Sequence, residues 1–402
     1  MTTNPERIVV AGAGVAGLRV CERLRKQGYR GALILLSSED HQPYDRPPLS
    51  KDVLTGAKDD SSLAVDLEAL DIDLRLGAAA TGLDVAQRIV QIDTCDGAQT
   101  VHFDALVIAT GSSPIRLPGS DTQMVLRTID DARKLRNKLR PGQRLAVIGA
   151  SWIGAEVATA AAGLGVAVTC IEGGSVPALG ALGEEVGSRL LSWWNDVDLR
   201  LNSSVAHVTD HGVRLSDGEH IAADTVVIGV GVRPNTDWLD GSGIDIDSGI
   251  VVDAHLRAQI SGKPLDNIVA VGDVAAWWSH RSGTRMRLGH WDDAVSGAVT
   301  AAATLLAGGP ELPIHDPVPY FWSDQFGHKL QYVGHHTRSD SVVFREPDSG
   351  PGWSACWIDE SGILTAVLAV DRPKDMVFGR KAIEASRVVD PDRIRDAAVA
   401  IG

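Results

Sequence analysis

One pattern occurs twice in this chain, and it restricts the fold more than any other feature. A short β-branched run, Arg7 to Ala11, ends in the glycine turn Gly12-Ala13-Gly14-Val15-Ala16-Gly17. A stretch with Leu18, Cys21 and Leu24 at helical spacing follows, then a second apolar run, Ala32 to Leu36. The same order returns at Arg144 to Ile148, with the turn Gly149-Ala150-Ser151-Trp152-Ile153-Gly154, an alanine-rich helix over 155–162 and the apolar run Val166 to Ile171. Each is a strand–turn–helix–strand unit of about 30 residues, which predicts a parallel sheet. Each copy also has a matching tail, Asp104 to Gly111 and Asp224 to Gly231. Alternating segments around Asp96-Gly97 and Asp217-Gly218 precede the tails and read as hairpins.

From Val318 the composition turns aromatic and β-prone, with Tyr320, Phe321, Trp322, Tyr332, Val342, Val343 and Phe344, and a helical ending is expected over roughly 375–400. Gly309 to Pro319 holds four prolines and reads as a linker. The predicted fold class is α/β: two Rossmann-like dinucleotide-binding domains and a C-terminal α+β domain. The first domain is discontinuous, 1–113 and 240–316, the second spans 114–239 and the third 317–402.

The charge balance narrows the partners. Lys plus Arg is 38 against 52 Asp plus Glu, a net −14, which argues against general affinity for nucleic acid or anionic membrane. Cys21, Cys95, Cys170 and Cys356 are too far apart for a redox pair or a cysteine zinc site, and they read as reduced thiols of a cytoplasmic protein. The polar start, Thr2 to Arg7, does not read as a signal peptide. The longest apolar stretch, Val157 to Ile171, is interrupted by Thr and Gly and falls short of the ~20 residues a membrane helix needs. His335-His336 lacks metal-ligand spacing and reads as a surface turn, so no metal site is expected.

Gly12-x-Gly14-x-x-Gly17 after a strand is the dinucleotide fingerprint. The first glycine permits the tight turn, the second lets a pyrophosphate approach the backbone, and the third lets helix pack on strand. The ribose-binding acid belongs about 20 residues further on, where Glu39 stands. The second turn departs from the pattern at Ser151, and the following strand ends in Glu172. A carboxylate there would accept from both ribose hydroxyls and repel a 2′-phosphate, which selects NADH over NADPH. Two dinucleotide sites in one chain imply a flavin fed by a nicotinamide.

A resemblance becomes specific at Pro43-Tyr44-Asp45-Arg46-Pro47-Pro48-Leu49-Ser50-Lys51. It is joined by Ala109-Thr110-Gly111, Gly231 to Asn235, Val271-Gly272-Asp273-Val274, Gly289-His290-Trp291-Asp292-Asp293-Ala294 and Tyr320 to Gln325. In this order the set resembles the FAD-dependent NADH:ferredoxin reductases of oxygenase systems, the putidaredoxin reductase type, and more distantly apoptosis-inducing factor. The resemblance implies FAD contacts from Gly12, Gly14, Ala16, Gly17, Glu39, Arg46, Lys51, Ala80, Thr110, Gly111, Asp273, His290, Trp291 and Trp322. It implies NAD contacts from Gly149, Ser151, Trp152, Ile153, Gly154, Glu172 and Gly231. Lys51 and Glu156 are expected to pair beside flavin N5; Trp152, which within a nucleotide turn has no apolar helix face to fill, is expected to cover the flavin until nicotinamide displaces it. Gly289 departs from the family, whose members often carry Glu there.

Residues 37–56 contain no cysteine, unlike the disulfide reductases and NADH peroxidases of this architecture, so electrons must leave the flavin for an acceptor outside the chain. NADH would deliver hydride to flavin N5, and electrons would leave singly. The implied partner is a [2Fe–2S] ferredoxin that supplies a cytochrome P450 or Rieske oxygenase. The alternative is a nicotinamide-sensing flavoprotein that acts through partner binding. For an acidic ferredoxin, the arginine-rich run His280 to Arg287 is the candidate docking patch.

Overall fold

In the computed structural model, which describes residues 5–306, 312–347, 352–399 and 401, both repeats are βαβ units. Strand Arg7–Ala11 pairs in parallel with Ala32–Leu36 on one side and Ala105–Ile108 on the other, inside a six-stranded sheet. Ile8, Val9 and Val10 are wholly buried, as a strand covered on both faces requires. Helix Val15–Lys26 buries Leu18, Val20, Cys21 and Leu24, and it packs against helix Trp291–Leu306. The latter offers Ala294, Gly297, Ala298, Ala301 and Ala302 on its buried side, small residues that permit close approach. A Cβ on Gly297 would stand 2.7 Å from a Val271 methyl.

The second repeat builds a four-stranded parallel sheet in which Arg144–Ile148 lies between Ala167–Ile171 and Thr225–Ile228. The two copies share an unforeseen lock. Asp104 accepts from the backbone N–H of Arg7 at 2.8 Å, and Asp224 from that of Arg144 at 2.9 Å. Each aspartate immediately precedes the tail strand and ties it to the start of the first. The hydrogen-bonded Arg144 side chain also holds the exposed Asp224 carboxyl down at about 2. The hairpins around Asp96-Gly97 and Asp217-Gly218 form as antiparallel pairs.

The chain divides into two units, and the division differs from the boundaries read in sequence. One unit comprises the residues up to Asp45, Ser62–Ser113 and Arg233–Pro319; the other comprises Arg46–Ser61, Pro114–Val232 and the residues from Tyr320 onward. Residues 46–61 join the second unit because the 3-10 turn Pro47–Ser50 and the short helix Asp52–Thr55 pack on helices Ile129–Lys138 and Trp152–Gly163. Strands Tyr320–Gln325, His328–Gly334, Ser341–Arg345, Trp353–Ile358 and Leu364–Val370 form their own antiparallel sheet, with helix Pro373–Glu384 against it. They belong to the second unit. Leu182, Val186 and Leu190 of helix Leu179–Leu190 share one core with Leu330, Tyr332, Trp357 and Leu368. The expected helical ending breaks after Glu384 and resumes only at Pro391–Arg395. Positions 309–311 of the expected linker and position 400 lie outside the described residues. Among the described residues, no helix is long and apolar enough to cross a membrane.

Candidate functional site

In the first glycine turn, Gly12 has φ +114°, and a Cβ there would stand 2.1 Å from the Ala109 carbonyl oxygen. A Cβ on Gly17 would meet the Gly12 oxygen at 1.9 Å, so helix and turn touch through bare backbone. Gly14 differs: its φ of −69° suits any residue, and a Cβ would meet nothing within 4 Å. The middle glycine therefore clears space at the start of helix Val15–Lys26, where no side chain caps the N-terminus and no acid occupies the first turn. Such an opening could hold a dinucleotide pyrophosphate, and the residues present fit one.

The other first-unit candidates make the following contacts. Ala16 is buried, and a Cβ on Gly272 would lie 3.0 Å from its methyl. Asp273 accepts from the Ser112 hydroxyl at 2.8 Å. Asn235 clasps the segment after strand Ala105–Ile108: its side-chain amide donates to the Thr110 carbonyl at 2.8 Å, its backbone N–H to Gly111 at 2.9 Å, and its own carbonyl accepts from the Thr110 hydroxyl. Glu39 accepts from the Tyr44 hydroxyl. Ala80 lies on strand Ala79–Asp84. Trp291 Nε1 donates to Asp45 at 2.9 Å. Burial pushes the pKa of the His290 imidazole down against the pull of nearby carboxylates, Asp293, Asp273 and Asp292. Gly289 sits at φ +67°, a conformation that would strain a glutamate in its place.

The second turn repeats the construction. Gly149 has φ +99°, and a Cβ on Gly154 would stand 1.8 Å from the Gly149 oxygen. Ser151 has the same extended backbone as Gly14, with φ −96° and ψ −155°, so serine is accommodated without strain. Glu172 is held from both sides: Oε2 accepts from Ala150 N–H at 2.7 Å and Oε1 from Gly174 N–H at 2.8 Å. Its carboxylate is thereby oriented at the rim of the turn. Ile153 is exposed, and the Gly231 carbonyl accepts from Ile115 N–H at 3.0 Å.

Lys51 and Glu156 meet. Lys51 Nζ stands 2.8 Å from Glu156 Oε2, with the lysine 22 % and the glutamate 5 % exposed. Two hydroxyls that sequence reading passed over complete the arrangement. Ser50 donates to Oε2 and Ser323 to Oε1, the latter at 2.5 Å. Ser50 was visible only as part of a longer motif, and Ser323 is 167 residues from its partner. No local pattern reveals such a contact. Arg46 donates to the Arg127 carbonyl at 2.6 Å.

Trp152 requires a correction. It was expected to have no apolar surface to fill, yet it packs edge-on against Phe321 at 4.5 Å and borders the core of the C-terminal sheet. Strand Tyr320–Gln325 supplies that surface, which lies far away in sequence. Trp322 of the same strand stacks with Tyr320 at 6.1 Å. The arginine-rich run is also partly committed. Arg285 reaches Asp247 at 3.7 Å and the Ala276 carbonyl at 3.2 Å, and Arg287 packs over Gly249. His336 is more than a surface turn: it stacks on Trp357 at 4.3 Å and its Nδ1 shares a hydrogen bond with the Tyr332 hydroxyl at 2.6 Å. Among the described residues, no group of His, Cys, Asp and Glu could hold a metal ion.

Three comparisons with known proteins bear on this geometry. Residues 6–298 match the pyridine nucleotide-disulphide oxidoreductase family, and residues 320–402 match the reductase C-terminal domain. The chain belongs to this family. It is 33 % identical over 407 residues to the ferredoxin–NAD(+) reductase subunit of a benzene 1,2-dioxygenase system from Pseudomonas putida, covering 97 % of this chain and 95 % of the relative. Among solved structures, that of Fdr9 is 53 % identical with a TM-score of 0.93 over 99 % of both chains. Putidaredoxin reductase in its covalent complex with putidaredoxin is 28 % identical, with a TM-score of 0.89 over 98 % of this chain and 96 % of that one. The family to which the chain belongs uses FAD and NAD(H).

Proposed function

We propose that this chain is an NADH-dependent, FAD-containing ferredoxin reductase that passes electrons to a [2Fe–2S] ferredoxin, and through it to a cytochrome P450 or Rieske oxygenase. The observation that carries the reading is the doubled glycine turn: an open cradle at Gly14 for FAD and a turn rimmed by the oriented Glu172 for NADH. When bound, FAD supplies the conversion of a two-electron hydride donor into one-electron deliveries. Gly12 and Gly17 bring the strand and helix close enough for the helix N-terminus to face the pyrophosphate, and Asp273 offers an acceptor to the ribityl chain. Lys51 and Glu156 serve hydride transfer as a pair.

The relatives support this class of partner, since they include the reductase component of a dioxygenase system and a reductase complexed with its redoxin. They do not favour the nicotinamide-sensing alternative. Three cysteines are buried, and burial pushes the thiols of Cys21 and Cys356 up to about 12. Inert thiols of this kind support a reducing, cytoplasmic setting. The test is NADH-driven cytochrome c reduction with candidate [2Fe–2S] ferredoxins added separately. Turnover that requires one of them is the expected result; flavin-loaded protein that reduces none would overturn the proposal.

A further inference from the structure

The Lys51–Glu156 pair is held by more than its own charge. Ser323, wholly buried on strand Tyr320–Gln325, has one hydroxyl hydrogen and sends it to Glu156 Oε1 at 2.5 Å. The direction of that hydrogen is set from behind, because the Gln325 side-chain amide donates to the Ser323 oxygen at 3.0 Å. Gln325 is itself buried. A hydroxyl that already accepts from an amide is free to donate forward, so the three groups form a one-way chain, Gln325 to Ser323 to Glu156. Ser50 and Lys51 both act on the other oxygen, Oε2. Without Ser323, the carboxylate would lose the donor that fixes Oε1 and could turn about its terminal torsion, which is broad and roughly two-fold.

We propose that Ser323, oriented by Gln325, is a positioning residue that keeps Glu156 in the orientation that pairs with Lys51, and thereby supports hydride transfer. The C-terminal segment thus contributes to the pair from a distance of 167 residues in sequence. The proposal rests on the functional reading of Lys51 and Glu156 given above. Ser323 does not touch the reacting atoms on this view; it acts through Glu156.

The test is a double-mutant cycle on the FAD-loaded protein, with flavin reduction by NADH followed in single turnover and the flavin midpoint potential measured alongside. Ser323→Ala is expected to slow flavin reduction about tenfold, the scale of one lost hydrogen bond to a charged group. The midpoint potential is expected to move positive, because Lys51 would be less well balanced by Glu156. Ser323→Thr, which keeps the hydroxyl, should restore both. In the Glu156→Gln background, Ser323→Ala should add little, because its route of action is already gone.

If Glu156→Gln slows reduction and Ser323→Ala leaves rate and potential unchanged, the positioning proposal is overturned while the pair keeps its role. If Glu156→Gln itself changes nothing, the reading of the pair falls first. Equal slowing by Ser323→Ala in both backgrounds would make the serine an independent structural element and overturn the proposal. Should Ser323→Ala fail to fold, Gln325→Leu tests the same chain from behind: the same slowing and positive shift would support it, and wild-type values would overturn it.

Discussion

Breaking the Lys51–Glu156 pair from its two ends should have unequal consequences for stability. Lys51→Met leaves the Glu156 carboxylate, 5 % exposed, with serine hydroxyls in place of a cation. Removing one partner of a fully buried pair costs about 3–5 kcal/mol. Here the lysine is 22 % exposed and two hydroxyl donors remain, so solvent has already screened part of the attraction, and about 2–3 kcal/mol is the reasonable figure. Glu156→Gln leaves an ammonium that can turn toward water while keeping the Pro47 carbonyl at 3.3 Å. The serine hydroxyls can rotate to suit an amide, so that loss should be about 1 kcal/mol. At about 2–4 °C per kcal/mol, Lys51→Met should lower Tm by about 4–12 °C and Glu156→Gln by about 2–4 °C. Thermal unfolding of each FAD-loaded variant at pH 7, followed by near-UV circular dichroism, measures the difference. Equal losses, or a larger loss from Glu156→Gln, would refute the assignment of the glutamate as the buried, dependent member.

Other consequences can be checked in parallel. Gly14→Val should fold normally yet bind FAD much more weakly, because a side chain there enters open space, whereas Gly17→Val should unfold the domain, because a Cβ there meets backbone at 1.9 Å. FAD content and circular dichroism separate the two, and equal folding of both would remove the cradle argument. NADH should exceed NADPH in kcat/KM by about tenfold or more, since a fixed carboxylate opposes the extra phosphate, and Glu172→Ser should narrow the ratio; an unchanged ratio would move specificity elsewhere. Burial, with a further push from His335, lowers the His336 pKa to about 4. The unfolded chain therefore binds this proton first as pH falls, and stability should decline from about pH 6.5 toward pH 4. His336→Phe should flatten that part of the profile in pH-dependent unfolding; an unchanged slope would show that other groups dominate.

Much of the architecture was legible because it is local. The βαβ repeats announce themselves through strand-length apolar runs, and glycines mark the places where backbone meets backbone, as at Gly12 and Gly17. Those contacts lie within a few residues of each other or between neighbouring strands. The position of Glu172 was likewise readable, because a strand of known length places the residue that follows it at the rim of the turn. The Lys51–Glu156 pair came from resemblance, since nothing local joins positions 105 residues apart.

What escaped the sequence was decided by packing between distant segments. Residues 46–61 were assigned by their neighbours in the chain, but Pro47–Ser50 and Asp52–Thr55 bury their apolar side against helices that begin some 80 and 100 residues later. Trp152 read as a side chain without an apolar face, until strand Tyr320–Gln325 supplied Phe321. Serines 50 and 323 are small polar residues with no periodicity to betray them, and their meaning arises only where folding brings both hydroxyls to one buried carboxylate. By itself, then, the sequence determined the two nucleotide folds, because strand runs and glycine turns are short-range requirements of the backbone. Tertiary structure alone decided which segments share a core and which hydroxyls hold Glu156, because a buried charge takes its partners from whatever the fold places within hydrogen-bond reach.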